Sequence, residues 1–326
     1  MRRACLLVSV AFCGCLTALT LAEGGLRLWG FRFASLPTVQ FGWPDPIILR
    51  DNYVPDKDLL WVTQDYADKL GKARQNPPSV IFMGDSCTEF GNYPALTLES
   101  LAIKAPALSS GLSLGVAGWS SQQGRWQLER DVVPLHPKVV TIYFGWNDHW
   151  VALGKEDKDS QPSPFSFAVA KNLRLAQLLN RLRAGRDLRM NTRRQSRVSL
   201  ADYRSNLIAM IRDLRAGGVV PILITAAANH ERGKEPARIG MRFLRDITQL
   251  VPLHRSYVDM TRKVAAETGA ALCDVSSKWE ADPERPAYFI RDGIHLTDEG
   301  NRKLAALLVA CIKEAYHPEE SSPGKS

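Results

Sequence analysis

Short apolar segments recur along the chain from about residue 80, and each has the pattern of a buried β-strand. They are rich in β-branched residues and apolar at consecutive positions, as strands covered on both faces are. Helical patterns lie between them, the clearest with Tyr203, Leu207 and Leu214 on one face, a capping box at Ser199 and a stop at Gly217. This alternation predicts a parallel α/β sheet with helices on both sides. The five predicted strands are Val80–Met83, Leu112–Gly115, Val139–Phe144, Val219–Thr225 and Ala271–Val275.

The amino-terminal segment has a different pattern. Residues 4–22 carry no charge, follow Arg2 and Arg3, and are just long enough to span a bilayer as a helix. An uncleaved membrane anchor uses the full length of this run; a signal peptide cleaved after Ala22 and a buried core helix are the alternatives. Either of the first two sends the rest of the chain out of the cytosol and leaves the arginines behind. We therefore expect an extracytoplasmic (periplasmic) domain, tethered by a single-pass helix or secreted if that helix is removed.

These patterns divide the 326 residues into four parts. Residues 1–22 are the anchor or signal peptide, and residues 23–77 are expected to form an irregular, proline-punctuated stem that packs on the domain through Trp43 and Trp61. Residues 78–316 form the α/β domain. Residues 317–326 are expected to be a disordered tail.

A long insertion, residues 150–198, separates the third and fourth predicted strands, and its second half is strongly basic. The segment 171–197 is consistent with a solvated helix or with a face for anionic lipid headgroups or an acidic polysaccharide. Nucleic acid is not expected, because no groove-reading motif or stacking platform accompanies the charge. The cations are Lys171, Arg174, Arg181, Arg183, Arg186, Arg189, Arg193, Arg194 and Arg197, against the single acid Asp187.

Composition narrows the class of protein. With 45% hydrophobic and 23% charged residues the chain is neither disordered nor collagen-like, and its net charge of +8 suggests an anionic surface or substrate nearby. Outside the apolar run only Cys87, Cys273 and Cys311 remain, an odd number without CxxC spacing. We therefore expect no disulfide framework and no zinc site, and the scattered histidines suggest no other metal.

Polar residues with the chemistry of acyl transfer follow the predicted strands. The carboxyl ends of parallel strands share one edge of the sheet, where ligands bind. Ser86 follows the first strand at the start of a helix, Gly118 follows the second and Asn147 the third, and Asp292 and His295 follow the fifth. This edge therefore collects a nucleophile, a base, an orienting carboxylate and candidate oxyanion donors.

Each residue type suits its role. His295 can take the proton of the Ser86 hydroxyl, and Asp292 can hold the imidazole in the required tautomer. The backbone N–H groups of Ser86 and Gly118 and the side-chain amide of Asn147 can stabilise an oxyanion.

Together these segments resemble the SGNH (GDSL-type) hydrolases, whose four blocks centre on Ser, Gly, Asn and His. The resemblance covers about residues 78–316, although Ser113 stands where the family usually has asparagine. It implies a flavodoxin-like three-layer α/β/α fold, a Ser86–His295–Asp292 triad, an oxyanion hole from Ser86, Gly118 and Asn147, and no metal or cofactor. The quoted blocks are Met83-Gly84-Asp85-Ser86, Gly145-Trp146-Asn147-Asp148 and Asp292-Gly293-Ile294-His295-Leu296-Thr297.

We therefore expect a membrane-tethered extracytoplasmic serine esterase that hydrolyses acyl esters of carbohydrate or lipid through an acyl-serine intermediate. Its expected partners are the ester substrate and the membrane. An O-acyltransferase acting on envelope glycans uses the same residues and stays open. The third hypothesis is a non-catalytic envelope binding protein with the same fold.

Neighbouring polar residues are given structural roles. Cys87 should point away from the site, and Asp85 and Asp148 should fix loops by hydrogen bonds. His149 and Trp150 either rim the pocket or pack beneath it. His230 and His254 are expected in loops, flanking a charged stretch that could form a lid.

Overall fold

The computed structural model describes residues 2–33, 52–152, 155–190, 195–236, 239, 244 and 246–317. The predicted contact Trp43, the arginines at 193 and 194 and all of the predicted tail after His317 lie outside the described residues. The strands are β1 (Tyr53–Asp56), β2 (Leu60–Thr63), β3 (Val80–Gly84), β4 (Gly111–Ser113), β5 (Val139–Tyr143), β6 (Val220–Ile224) and β7 (Ala271–Cys273). The helices are α1 (Arg2–Leu28), α2 (Tyr66–Gln75), α3 (Ser86–Glu89), α4 (Tyr93–Lys104), α5 (Ser121–Gln127), α6 (Pro164–Asn172), α7 (Arg174–Met190), α8 (Leu200–Ala216), α9 (Leu250–Thr268), α10 (Val275–Glu280) and α11 (Asp298–Ala315).

Strands β3 to β7 form one parallel sheet in the order β4-β3-β5-β6-β7. Counted within the sheet this order is 2-1-3-4-5, which is the flavodoxin-like arrangement. β3 pairs with β5 over its whole length, from Val80 opposite Val139 to Gly84 opposite Tyr143. The predicted α/β fold with five parallel strands is confirmed.

Successive residues of the strands point to opposite faces, so the sheet separates two apolar cores. Ile81 of β3 and Val140 of β5 face the layer that contains α8 and α9. Phe82 of β3 and Val139 of β5 face the layer that contains α4 and α11. Because both faces are covered, the strands are apolar at consecutive positions, and the helices make the fold a three-layer sandwich.

Strand β4 is shorter than its apolar pattern predicts. It ends at Ser113, but the N–H groups of Leu114 and Val116 still donate to the carbonyls of Phe82 and Gly84, at 2.9 and 3.1 Å. The chain therefore stays attached to β3 beyond the end of the regular strand. This attachment carries it to the carboxyl edge of the sheet, where Gly118 lies.

The segment predicted as an irregular stem contains regular structure. β1 and β2 form an antiparallel hairpin, and α2 follows directly. Trp61 is fully buried and belongs to the same core cluster as α8 and α9. The prolines suggested irregular chain, but Pro55 lies within the short strand β1 of a two-stranded sheet, a position that proline tolerates.

At the amino end, α1 is longer than the charge-free run that predicted it. The stretch Leu6–Leu28 is long and apolar enough to cross a membrane, and its most apolar part is not buried against the domain. An exposed apolar helix of this length is a candidate for a membrane span or a signal sequence, and it does not fit a buried core helix.

A disulfide joins Cys273, at the end of β7, to Cys311 in α11. The sequence predicted no disulfide framework, and this single bridge corrects that expectation for two of the three domain cysteines. The two thiols are 38 residues apart in sequence, and they meet because α11 packs on β7. No sequence motif signals this pairing.

We predict that the double variant Cys273→Ala/Cys311→Ala unfolds more easily in urea, measured on the full chain in detergent. Cross-linking a loop of this length restricts the unfolded chain and contributes about 2–4 kcal/mol. A reducing agent should destabilise the wild type and leave the double variant unchanged. Alkylation of the unreduced, unfolded chain should modify four of its six cysteines, since two are in the disulfide. Modification of all six would contradict the bridge.

Candidate active site

Ser86 lies where β3 turns abruptly into the short helix α3. The side chain of Asp85 caps this helix by accepting the N–H of Cys87 at 2.9 Å. A Cβ atom at Gly84 would collide with Thr88 and with the carbonyl of Tyr143, so only glycine fits the tight turn. The turn places Ser86 at the first position of a helix at the carboxyl edge of the sheet.

Ser86, His295 and Asp292 form one row of hydrogen bonds. The Ser86 Oγ atom is 2.8 Å from His295 Nε2, and His295 Nδ1 is 2.6 Å from Asp292 Oδ2. Partial burial on its own would raise the pKa of Asp292, but hydrogen bonds from His295 and from two backbone N–H groups lower it below its usual range. An ionised Asp292 accepts from Nδ1, which leaves Nε2 as the acceptor for the Ser86 hydroxyl.

The loop that carries Asp292 and His295 is held by hydrogen bonds within the loop. Asp292 Oδ1 accepts the N–H groups of Ile294 and His295, at 2.8 and 2.9 Å. Gly293 has a φ of +70°, and a Cβ there would collide with His230. His230 Nε2 in turn contacts the Asp292 carbonyl at 2.6 Å. His230 lies in a loop as predicted, and its contact helps to hold the backbone of Asp292 in place.

Asn147 is buried beside the serine turn. Its Nδ2 atom donates to Asp85 Oδ2 at 3.1 Å, which uses one of the two hydrogens of the amide nitrogen. Burial raises the pKa of Asp85 to about 6, against the hydrogen bonds from Cys87 and Asn147, which favour the ionised form. Asp85 therefore connects the loops after β3 and β5 and fixes the orientation of the Asn147 amide.

Gly118 lies in the loop between β4 and α5, with a φ of +79°. The preceding residue, Ala117, donates its N–H to Glu89 and accepts at its carbonyl from Trp61 Nε1 at 3.0 Å. Trp119 Nε1 donates to the Trp61 carbonyl, also at 3.0 Å. The hairpin therefore holds one side of this loop, and it does so through Trp61, one of the two predicted stem contacts.

A buried ion pair holds the other side of the loop. The Arg197 guanidinium binds both oxygens of Asp157 through Nε, at 3.2 and 3.1 Å, and Oδ2 through Nη2 at 2.7 Å. Its Nη1 atom donates to the Gly118 carbonyl at 2.6 Å. Asp157 Oδ2 also accepts from Ser120 Oγ at 2.8 Å. Arg197 is 3% exposed and Asp157 1%, so this pair is isolated from water.

The sequence places Arg197 in an exposed basic segment, and that placement is wrong for this residue. The available signal was its position directly before the capped start of α8, where the insertion returns to the domain. Other cations of the segment, among them Lys171, Arg181 and Arg183, are exposed as expected.

Several neighbours of the site have structural roles. Cys87 is buried with its Sγ atom 3.8 Å from the Ile294 carbonyl, and burial raises the pKa of its thiol. His149 and Trp150 are almost fully buried, and both rings contact Trp146. His254 lies in α9 and not in a loop, stacked on Trp146 at 3.7 Å, and burial lowers its pKa to about 3. Within the described residues, no group of three or more His, Cys, Asp or Glu is arranged to hold a metal ion.

Comparison with known proteins identifies relatives. The sequence model of the GDSL-like lipase/acylhydrolase family matches residues 82–303. The mouse protein "Isoamyl acetate-hydrolyzing esterase 1 homolog" is 24% identical over 236 residues, which cover 70% of this chain and 78% of the relative. The Arabidopsis thaliana "GDSL esterase/lipase CPRD49" is 20% identical over 258 residues, 76% of this chain and 83% of the relative.

A solved structure has the same fold. The lipase/acylhydrolase from Enterococcus faecalis superposes with a TM-score of 0.50 at 20% identity, and the match covers 74% of this chain and 98% of that one. At this identity the likeness concerns the fold alone.

Burial of Asp148 is expected to make the free energy of unfolding depend on pH. Asp148 is fully buried and accepts the Ser121 N–H at 2.9 Å, and burial raises its pKa to about 7 from an ordinary 3.8. Between about pH 4 and 7 the folded protein therefore binds a proton that the unfolded chain has lost. The free energy of unfolding consequently falls as the pH rises through this window and levels off above it.

The variant Asp148→Asn keeps the acceptor for Ser121 and cannot ionise. Between pH 5.5 and 8.5 we expect the wild type to lose about 2 kcal/mol more free energy of unfolding than the variant. Urea unfolding of both proteins at the two pH values measures this difference. Identical pH dependence in the two proteins would contradict the raised pKa.

Proposed function

Because the chain belongs to the GDSL-like lipase/acylhydrolase family and is an ester hydrolase, we propose that Ser86 is its nucleophile, His295 its general base and Asp292 the acid that orients the base. The row of hydrogen bonds from Ser86 through His295 to Asp292 carries this proposal. The described residues keep a complete set of groups for acyl transfer, which does not favour a non-catalytic binding protein.

The proposed reaction has two halves. His295 Nε2 takes the hydroxyl proton as Ser86 Oγ attacks the ester carbonyl carbon, and the ionised Asp292 stabilises the imidazolium that forms. The tetrahedral intermediate collapses to an acyl-serine, and His295 returns the proton to the departing alcohol. Water, deprotonated by the same imidazole, then attacks the acyl carbon; the bond to Ser86 Oγ breaks, His295 returns the proton to Oγ, and the carboxylic acid leaves.

The oxyanion is assigned to three donors, the N–H groups of Ser86 and Gly118 and the side-chain amide of Asn147. Two features support this assignment. The N–H of Ser86 opens a helix, where the dipole favours negative charge. The Asp85 contact fixes the amide plane of Asn147 before any substrate arrives. Donors that are already oriented need no reorganisation in the transition state.

We assign the substrate to esters with a short acyl group, such as an acetylated carbohydrate or a short-chain lipid ester. The printed names of the mouse and bovine relatives, which refer to isoamyl acetate hydrolysis, support a small acyl group. The site is accessible to such a substrate, because the side chains of His295 and Asp292 are 23% and 31% exposed.

We assign the domain to the extracytoplasmic side of a membrane, tethered by α1. The span Leu6–Leu28 supports the tether, and Arg2 and Arg3 before it support retention of the amino terminus in the cytosol. The Cys273–Cys311 disulfide supports an oxidising compartment, since disulfides rarely persist in the cytosol.

We predict that Ser86→Ala and His295→Ala each lower kcat for p-nitrophenyl acetate by at least about 1,000-fold, because neither variant can form the acyl-serine efficiently. The double variant should be no slower than the single ones, since the two residues act as a unit. Full-length protein in detergent is assayed with p-nitrophenyl esters from acetate to palmitate, and the rate should fall as the acyl chain lengthens. Cys87→Ala is the matched control and should retain activity. Unchanged hydrolysis by Ser86→Ala would overturn the assignment.

Arg197 is proposed as a positioning residue for the oxyanion donors, because it binds the carbonyl of Gly118 from a buried site. We predict that Arg197→Lys, which keeps the charge but loses the guanidinium fork, lowers kcat at least about tenfold with little change in KM. The reason is that a misplaced oxyanion donor weakens binding of the transition state and not of the substrate.

A second variant changes Arg197 together with Asp157, its buried partner. Arg197→Met/Asp157→Leu removes both charges, so no uncompensated ion remains in the core. This double variant should fold, as judged by urea unfolding, and show the same loss in kcat. A folded double variant with the kcat of the wild type would assign the ion pair to stability alone.

A further inference from the structure

The last turns of α1 are fastened to the junction between α6 and α7. The Glu23 carboxylate accepts the N–H groups of Arg174 and Leu175, at 3.0 and 2.8 Å, at the start of α7. Arg27 donates to the carbonyl of Asn172, the last residue of α6, at 2.6 Å and also binds Glu23 at 2.8 Å. The end of α1 and the α6–α7 pair are therefore one hydrogen-bonded unit.

The contact continues beyond the end of α1. The N–H of Phe33 donates to Gln177 Oε1 at 3.0 Å, and the Arg181 guanidinium lies 5.9 Å from the centre of the Phe31 ring. Gln177 also donates to the carbonyls of Ala170 and Lys171. Residues 31–33 thus lie along α7, and α7 cannot leave the end of α1 without breaking these bonds.

The length of α1 sets the depth of this unit in a membrane. As a helix, the charge-free run of residues 4–22 is about 28 Å long, close to the roughly 30 Å hydrocarbon core of a bilayer. Glu23 and Arg27 are the first charged residues after the charge-free run, so they mark the level at which the span enters the headgroups. The α6–α7 residues bonded to Glu23 and Arg27 must then lie at the same level.

The surface of the α6–α7 pair combines exposed apolar side chains with exposed cations. Phe165 of α6 is 79% exposed, and Leu179 and Leu182 of α7 are 53% and 61% exposed. Lys171, Arg181 and Arg183 are exposed on the same two helices. Apolar side chains that reach the acyl boundary, together with cations that meet phosphates, are typical of helices that lie in a membrane interface.

We propose that the α6–α7 pair is a second membrane contact, which lies on the extracytoplasmic leaflet and binds anionic phospholipid headgroups. The proposal rests on the tether by α1 proposed above. A single span would let α1 and the domain attached to it tilt together relative to the bilayer. Two contacts, one through the bilayer and one on its surface, hold the domain in one orientation, with the Ser86 edge of the sheet at a fixed height above the lipid.

The test measures the depth of single spin labels on the full chain in vesicles of phosphatidylglycerol and phosphatidylcholine. Cys5, Cys13 and Cys15 are replaced by alanine, and a nitroxide is attached through one of the substitutions Leu16→Cys, Leu182→Cys or Ile103→Cys. Position 16 lies in the span, 182 on α7 and 103 on α4, where Ile103 is 84% exposed. Accessibility to oxygen and to a water-soluble nickel complex should place 16 in hydrocarbon, 182 at the interface and 103 in water.

The outcomes separate the two proposals. A label at 16 in hydrocarbon with a label at 182 in water would overturn the surface contact and leave the tether intact. A label at 16 in water would overturn the tether and the surface contact with it.

Charge variants test the role of the headgroups. Replacing Lys171, Arg181 and Arg183 by glutamine should raise the exposure of the 182 label to the nickel complex at least about twofold, because the attraction to anionic lipid is lost. Replacing the exposed Lys72, Lys104 and Lys278 removes the same charge far from α7 and should change nothing. Equal effects of the two triple variants would overturn the specific contact.

Discussion

Buried backbone groups must be hydrogen-bonded, and this requirement governs the edge of the sheet where the site lies. Four loops meet there, beyond the ends of the regular strands, and backbone pairing satisfies only some of their peptide groups. Side chains satisfy others: Asp85 joins the serine turn to Asn147, Asp148 binds the N–H of Ser121, and Asp292 binds two N–H groups of its own loop. Short polar side chains at the ends of the strands therefore supplement the backbone pairing, and the positions of the candidate site residues depend on them.

The carboxylates at this edge of the sheet differ in pKa because they differ in burial and in hydrogen bonding. Asp85 and Asp148 have raised pKa values because water is excluded from them, whereas Asp292, which is partly exposed and hydrogen-bonded to His295, has a lowered one. Aspartates at one edge of the sheet therefore have pKa values shifted in opposite directions. Ionisation is favoured for Asp292, which is hydrogen-bonded to the imidazole, and disfavoured for Asp85 and Asp148, which orient loops.

Much of the site could be predicted from the sequence, because its groups follow apolar strands in a fixed order. Periodicity locates the strands, the parallel topology brings their ends together, and the spacing of Asp292 and His295 fits one loop. The Trp61 hairpin, the Arg197–Asp157 pair and the Cys273–Cys311 bridge could not be predicted in this way. Each joins residues that are distant in sequence and carry no local pattern, so only the packed fold brings them together.

In the insertion after β5, composition alone could not predict which cations are exposed and which are buried. Its cations look alike in sequence, yet the fold divides them between two environments. Arg197, at the base of the insertion, is buried against Asp157, where its guanidinium needs a carboxylate and a carbonyl to offset desolvation. Lys171 of α6 and Arg183 of α7 remain exposed. The Arg197–Asp157 pair fixes the base of the insertion against the Gly118 loop, and Glu23 binds its middle at the α6–α7 junction. The insertion therefore links the candidate site to the helix that we assign to the membrane.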